Sequence, residues 1–397
     1  MTGGGEALRG TPGSRQNRRA RLVFSDGLTR YDFGSFHPMG PGRVRSAISL
    51  ARALGVLDQL DRVDPSPADD QLLRRVHSDA YIAAVQAAEP NPIFGLGTED
   101  NPVFPYMHEV SSQIVTASVD AARSVWQGEA LRAVNIAGGL HHAMPSAASG
   151  FCIYNDLAIA IHWLLEQGCE RIAYVDVDVH HGDGVQTIFY DDPRVLTISL
   201  HETPVKLFPG TGYPHETGGP DAAGSAVNVA LPAGTDDRGW LRAFDAVVPE
   251  ALAAFKPTIL VTQHGCDSHY SDPLADLRLS VDGQRASYLA LARLADELTQ
   301  GRWIAGGGGG YSLVDVVPRA WAHLLAIVAG TPIPPPTSIP QLWRDEAGDG
   351  APMSMTDGGS TDFTPVTAGI DPASRLDQAI LATRRAVFPD LGLDPGF

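Results

Sequence analysis

One segment narrows the choice of fold more than any other: residues 171–179, RIAYVDVDV, followed at once by His-His-Gly-Asp-Gly. The run is β-branched and aromatic enough to form a buried strand. In an extended strand side chains alternate between faces, so Asp176, Asp178 and His180 share one side while Val177 and Val179 face the other. Two carboxylates and an imidazole on one face of a central strand are costly to bury unpaired. A divalent cation resolves the conflict, because neutral imidazole and carboxylate oxygen are both good zinc ligands. A hydrogen-bonded polar cluster at a strand end is the other reading of the same residues.

Further strand-like runs lie at residues 21–25, 132–139, 195–200, 258–265 and 302–310. Helical patterns separate them. The clearest spans 237–255, where Trp240, Leu241, Phe244, Val247, Val248, Leu252 and Phe255 recur at three- and four-residue steps. Strand and helix in alternation predict an α/β domain with a central, mainly parallel sheet covered on both faces. Ligands of such sheets bind beyond the carboxyl ends of the strands. Long loops are expected at about 61–70, 89–105, 201–224 and 267–280, where Pro and Gly cluster. Residues 1–20, rich in Gly and Arg, read as a disordered tail. Residues 21–330 form the expected catalytic domain, and 331–397 an irregular segment and a last helix packed on it.

Acidic residues outnumber Lys and Arg by 46 to 29, a formal net charge of −17, which argues against nucleic-acid or anionic-membrane partners. No apolar run approaches the roughly 20 residues needed to span a bilayer. The three scattered cysteines, Cys152, Cys169 and Cys266, do not form a secreted disulfide framework. A cytoplasmic location is therefore expected. The sequence is silent on oligomeric state.

Three more clusters fall beyond strand ends. Gly138-Gly-Leu-His-His-Ala143 offers His141 and His142, and an imidazole whose ring N–H is held by a buried carboxylate becomes a better proton acceptor. Asp176 and Asp183 are natural partners for them. Gly150 and Phe151 follow in GFCIYND, where Phe151 can wall an apolar slot. Gln263-His-Gly-Cys-Asp-Ser-His269 supplies Asp267 as a third metal ligand, with His264, Cys266 and His269 as competitors on proximity alone. If that stretch is extended, Cys266 points away from the face of Asp267. Finally, five glycines at 306–310 precede Tyr311. No GK[ST] follows them, so a phosphate loop is disfavoured. The tyrosine hydroxyl can instead donate to an oxyanion.

In their order along the chain, YDFGSFHPMGPGRVR, RVHSDAYI, GLGTEDNP, GGLHHA, SGFCIYND, YVDVDVHHGDGVQ, HETPVKLFPGTG, HGCDSH and GGGGY resemble the histone deacetylase superfamily. The wording is nearest its acetoin-utilisation subgroup. The resemblance runs from about residue 31 to about residue 330, and the glycine run has one more member than the family's usual four. It implies the arginase/deacetylase fold and a metal-dependent lysine deacetylase. Asp178, His180 and Asp267 would hold Zn²⁺, with Fe²⁺ as the alternative ion. His141 and His142 would be backed by Asp176 and Asp183, with His142 as general base. Tyr311 would be the electrophilic tyrosine. Phe151, Phe208 and Gly150 would flank the acetyl-lysine tunnel, with Leu274 at its gate, and Asp100 would grip the substrate backbone. Arg43 would line an acetate exit channel. A structural K⁺ is implied near Asp176, Asp178, His180, Ser199 and Leu200. The substrate implied is an acetylated protein, with acetyl-CoA synthetase as the natural candidate.

Three rivals share features of this pattern. An arginase-like hydrolase with two manganese ions needs a further bridging acid two residues before Asp267, where this chain has Gly265. An acetylpolyamine amidohydrolase is favoured by an acidic gate, where SDPLADL offers Leu274. A catalytically inactive acetyl-lysine binding protein is expected to lack a ligand or the tyrosine, and none is missing.

Overall fold

The computed structural model describes residues 19–396. The expected disordered tail therefore lies, but for its last two residues, outside the described residues. Eight strands form one parallel sheet: β1 (Arg21–Val23), β2 (Asp61–Val63), β3 (Arg132–Asn135), β4 (Ile172–Asp176), β5 (Val195–Glu202), β6 (Ala226–Leu231), β7 (Ile259–Gln263) and β8 (Trp303–Gly306). Their order across the sheet is β2-β1-β3-β8-β7-β4-β5-β6. Every residue of β4, β5, β7 and β8 is buried, as a parallel sheet covered on both faces requires.

Helices form where the sequence supplies an apolar stripe, and several of them start at a side-chain cap. Helix Asp237–Phe255 starts where the Asp236 carboxylate accepts from Gly239 N at 3.0 Å, and it ends at Lys256 in the left-handed region. Trp240, Leu241, Phe244, Val247, Val248 and Leu252 are buried along it, as the three- and four-residue spacing predicts. Helix Val281–Thr299 is capped in the same way by Ser280. Among the described residues no helix is long and apolar enough to cross a membrane.

Strand ends differ from the sequence reading in one systematic way. Apolar and glycine composition continues past Asn135, Asp176, Gln263 and Gly306, but the ladder stops there. In particular, Asp178 and His180 do not stand on an extended strand. Beyond Asp176 the chain turns, with Asp178 N donating to Asp176 Oδ1 at 3.1 Å and His180 N to Asp178 Oδ1 at 3.0 Å. Each carboxylate caps the backbone two residues on, so the side chains gather by turns rather than by pleat. Two strands carry no clear sequence signal. β2 is a three-residue, largely exposed edge inside the expected 61–70 loop, and β6 interrupts its apolar run with Asn228.

Residues 331–371 hold a short helix, Gln341–Ala347, and helix Arg375–Val387 follows. Thr383 Oγ1 donates to Asn228 O at 2.6 Å, and Arg242 pairs with Asp377 at 2.8 Å, joining this end of the chain to β6 and to helix Asp237–Phe255.

Candidate metal centre

Four strands adjacent in the sheet, β3, β8, β7 and β4, each release one cluster at the carboxyl end: His141 with His142, Tyr311, Asp267, and Asp178 with His180. Asp178, His180 and Asp267 are buried, and each offers a ligand atom within 4.8 Å of the others. His180 Nδ1 lies 3.2 Å from both Asp178 Oδ1 and Asp267 Oδ2. The remaining oxygens are fixed: Asp178 Oδ2 accepts from Gln263 Nε2 and Gly309 N at 2.8 Å, and Asp267 Oδ1 from Val179 N at 3.0 Å.

The electrostatics of this triangle favour positive charge within it. Burial alone pushes the His180 imidazole down, but the two carboxylates outweigh it and raise it to about 10. Burial, reinforced by Asp178, lifts the Asp267 carboxyl to about 6. Asp178 is raised by burial too, yet His141 and His180 hold it well below the usual carboxylate range. The site draws positive charge to the point between the three groups. A divalent ion meets that demand with the imidazole neutral, and the donor set of two carboxylates and one imidazole suits it. Two glycines keep the space clear. A Cβ on Gly265 would stand 2.0 Å from Asp178 Oδ2, and one on Gly309 would stand 1.9 Å from Asp267 Oδ2. An acid at 265, as a two-metal site needs, has no room.

The competitors for the third ligand point elsewhere. His264 Nε2 contacts Thr262 Oγ1 at 2.7 Å, Cys266 Sγ contacts Gly309 O at 3.6 Å, and His269 Nε2 contacts Asp357 Oδ2 at 3.0 Å.

Both histidines are braced from behind. His141 Nδ1 meets Asp176 Oδ2 at 2.7 Å, and His142 Nδ1 meets Asp183 Oδ1 at 2.6 Å. Their Nε2 atoms are 3.0 Å apart, within hydrogen-bond distance of each other. Burial lowers His141, but Asp176 and Asp178 outweigh it and raise the imidazole to about 9. Burial lowers His142 to about 4, and neighbouring His141 adds to the effect.

Above these groups opens a cavity of about 210 Å³. Asp100, Gly150, Phe151, Phe208 and Leu274 line it, together with Tyr311, His142 and His180. All five residues expected around the tunnel are therefore brought together. The Phe208 ring stands edge-on to His142 at 5.0 Å, and Phe151 edge-on to Tyr311 at 5.8 Å. A Cβ on Gly150 would lie 2.4 Å from the His142 ring. Phe151 itself has φ +68°, a left-handed value, and Tyr31 secures it: the Tyr31 hydroxyl donates to Phe151 O at 2.7 Å and accepts from Ile153 N at 3.1 Å. Burial, with Asp267 nearby, raises the Tyr311 phenol well above its usual value, keeping the hydroxyl a donor.

Arg43 donates from Nε to Gly310 O at 2.7 Å and from Nη2 to Gly308 O, and it lines a small second cavity of about 20 Å³ with Met39 and Tyr31. For the expected potassium site, Asp176 and Ser199 are register partners on β4 and β5, Leu200 follows within β5, and Asp178 and His180 lie on the turns after β4.

Some contributors carry no assigned role in the sequence reading. Gln263 holds Asp178, and Asp156 caps the histidine loop by accepting from Leu140 N at 2.8 Å and Gly139 N at 3.0 Å. Asp272 accepts from Tyr311 N at 2.9 Å. The signal for Asp156 is its place in the GFCIYND motif. Asp272 has only an Asp-Pro turn to mark it. A larger groove of about 810 Å³ near Asp236 and the C-terminal segment is no rival site, because its central Arg242 is already satisfied by Asp377.

The histone deacetylase domain family matches residues 37–328. The acetoin utilization protein AcuC of Bacillus subtilis (strain 168) is 41% identical over 355 residues, covering 83% of this chain and 91% of that protein. AcuC of Staphylococcus xylosus is 36% identical, covering 83% of this chain and 87% of its own. AcuC of Staphylococcus aureus (strain MRSA252) is 38% identical, with 79% and 83% covered.

Proposed function

The chain belongs to the histone deacetylase family, and from that premise we propose that it hydrolyses Nε-acetyl-lysine side chains of proteins, releasing acetate. Acetyl-CoA synthetase, the candidate implied by the motif resemblance, is the substrate we assign, and the cytoplasm the location. The observation that carries the reading is the convergence of Asp178, His180 and Asp267, with His180 opening onto a cavity that Phe151 and Phe208 also line.

A divalent ion in that triangle, Zn²⁺ or Fe²⁺, supplies Lewis-acid polarisation of the amide carbonyl. The chain's own residues do the rest. Phe151 and Phe208 flank the lysine stem, and Asp100 at the mouth accepts from substrate backbone N–H. Water attacks the carbonyl carbon as His142 Nε2 takes its proton, with Asp183 holding the ring in the required tautomer. The Tyr311 hydroxyl donates to the developing oxyanion, a contact whose loss typically costs about 2.7–4 kcal/mol of barrier. The C–N bond then breaks, and the amine departs with a proton from the histidine pair. His141, raised by Asp176, is the member suited to deliver it. K⁺ bound by oxygens around Asp176, Asp178, His180, Ser199 and Leu200 would stabilise the loop carrying two of the three ligands. Arg43 would receive the product acetate.

Leu274 at the gate favours protein over polyamine. A small polycation gains nothing from an apolar side chain at the mouth. Acetate release from acetyl-lysine peptides, acetylated acetyl-CoA synthetase and acetylated polyamines, compared at equal enzyme, tests the assignment. Faster turnover of the peptide and protein is expected. Turnover of polyamines alone would overturn it.

A further inference from the structure

Asp272 divides its two carboxylate oxygens between separate parts of the site. Oδ2 accepts from Tyr311 N at 2.9 Å, and Oδ1 from Leu274 N at 3.0 Å. The tyrosine needs such an anchor, because the five residues before it are glycines with no side chains to lock them. Gly308 and Gly310 adopt φ +152° and +131°. Arg43, Asp178 and Cys266 hold the backbone of that run, but Asp272 is what grips Tyr311 itself.

Asp272 is held in turn. Its N–H donates to His269 O at 2.9 Å. His269 is fully buried, and its Nδ1 accepts from Ser271 N at 3.1 Å. That assigns the ring proton to Nε2, which donates to Asp357 Oδ2 at 3.0 Å. Asp357 accepts from Val281 N at 2.8 Å and pairs with buried Arg319 at 2.7 Å. It lies beyond residue 328, where the family match ends.

We propose that Asp272 is a positioning residue for Tyr311, and that Asp357, reaching in from the C-terminal segment through His269, holds Asp272 in place. The inference rests on the oxyanion role given to Tyr311 above. It assigns part of the active-site geometry to a segment outside the matched domain.

The test is a double-mutant cycle on an acetyl-lysine peptide, with metal content and melting temperature recorded for each variant. Asp272→Asn keeps one acceptor oxygen and loses the other, so kcat is expected to fall roughly 10- to 100-fold from misplacement of the tyrosine. Asp357→Asn is expected to lower kcat roughly fivefold, through weaker coupling. Metal content stays unchanged in both. The deciding readout is the combination with Tyr311→Phe. With the hydroxyl gone there is nothing left to position, so each double variant should be no more than about twofold slower than Tyr311→Phe alone. Effects that multiply, or unchanged kcat in Asp272→Asn and Asp357→Asn while Tyr311→Phe is impaired, overturn the inference and leave the proposed function standing. A fully active Tyr311→Phe overturns the tyrosine's role itself. Should Asp272→Asn not fold, the Asp357→Asn cycle carries the same decision.

Discussion

At the residue scale, the site depends on atoms that approach too closely for ordinary side chains. A Cβ on Gly310 would stand 2.3 Å from Cys266 Sγ, next to the residue whose phenol faces the cavity. Tyr311→Phe removes one oxyanion donor and nothing else, so kcat should fall at least about a hundredfold with metal content unchanged. Near-normal kcat in that variant would remove Tyr311 from the chemistry. Gly265→Ala places a methyl 2.0 Å from Asp178 Oδ2 and should weaken metal affinity at least about tenfold, read by titration of the metal-free protein. Wild-type affinity would show that the Asp178 carboxylate has freedom the packing does not suggest. Much of this scale is legible in sequence, because carboxylates and imidazoles at the ends of apolar runs demand partners. Asp272 and Gln263 are harder to see. Their contacts to the site, Asp272 with Tyr311 N and Gln263 with Asp178 Oδ2, reach groups distant in the chain, and no spacing rule marks such a contact.

At the scale of elements, the four adjacent strands β3, β8, β7 and β4 bring four distant sequence clusters within bonding reach. The strands themselves are legible, since a parallel sheet covered on both faces leaves near-continuous apolar runs. Their ends are not, because valines and glycines continue into the loops while the ladder stops. The segment after β4 shows the consequence. Alternation places Asp176, Asp178 and His180 on one face, whereas the structure gathers them by turns in which each carboxylate caps the backbone two residues on. β2 escapes sequence reading because an exposed edge strand needs no apolar face. Leu260, buried in β7, reports on the frame that carries Asp267. Leu260→Ala should destabilise the protein by about 2–5 kcal/mol, measured from the urea midpoint. A loss under about 0.5 kcal/mol would mean the sheet centre is less tightly packed than it stands here.

At the scale of the whole molecule, stability depends on histidines buried without charge. His77 and His323 are both lowered from 6.5 to about 4, chiefly by burial. Their folded forms bind a proton less readily than their unfolded forms. Their contribution is therefore complete above pH about 6.5 and is lost as pH falls toward about 4, on the order of 3 kcal/mol for each. His323→Gln can still donate to Met355 O but cannot titrate, so its melting temperature should decline less steeply than wild type across that window. Parallel declines would place the acid sensitivity elsewhere.

The most direct measurement follows acetate release while metal is returned to chelator-stripped protein. Activity should be absent without metal, rise in proportion to added Zn²⁺ or Fe²⁺, and level off at one ion per chain. Turnover in fully stripped protein, or a rise that continues to two ions, would contradict a single catalytic ion held by Asp178, His180 and Asp267.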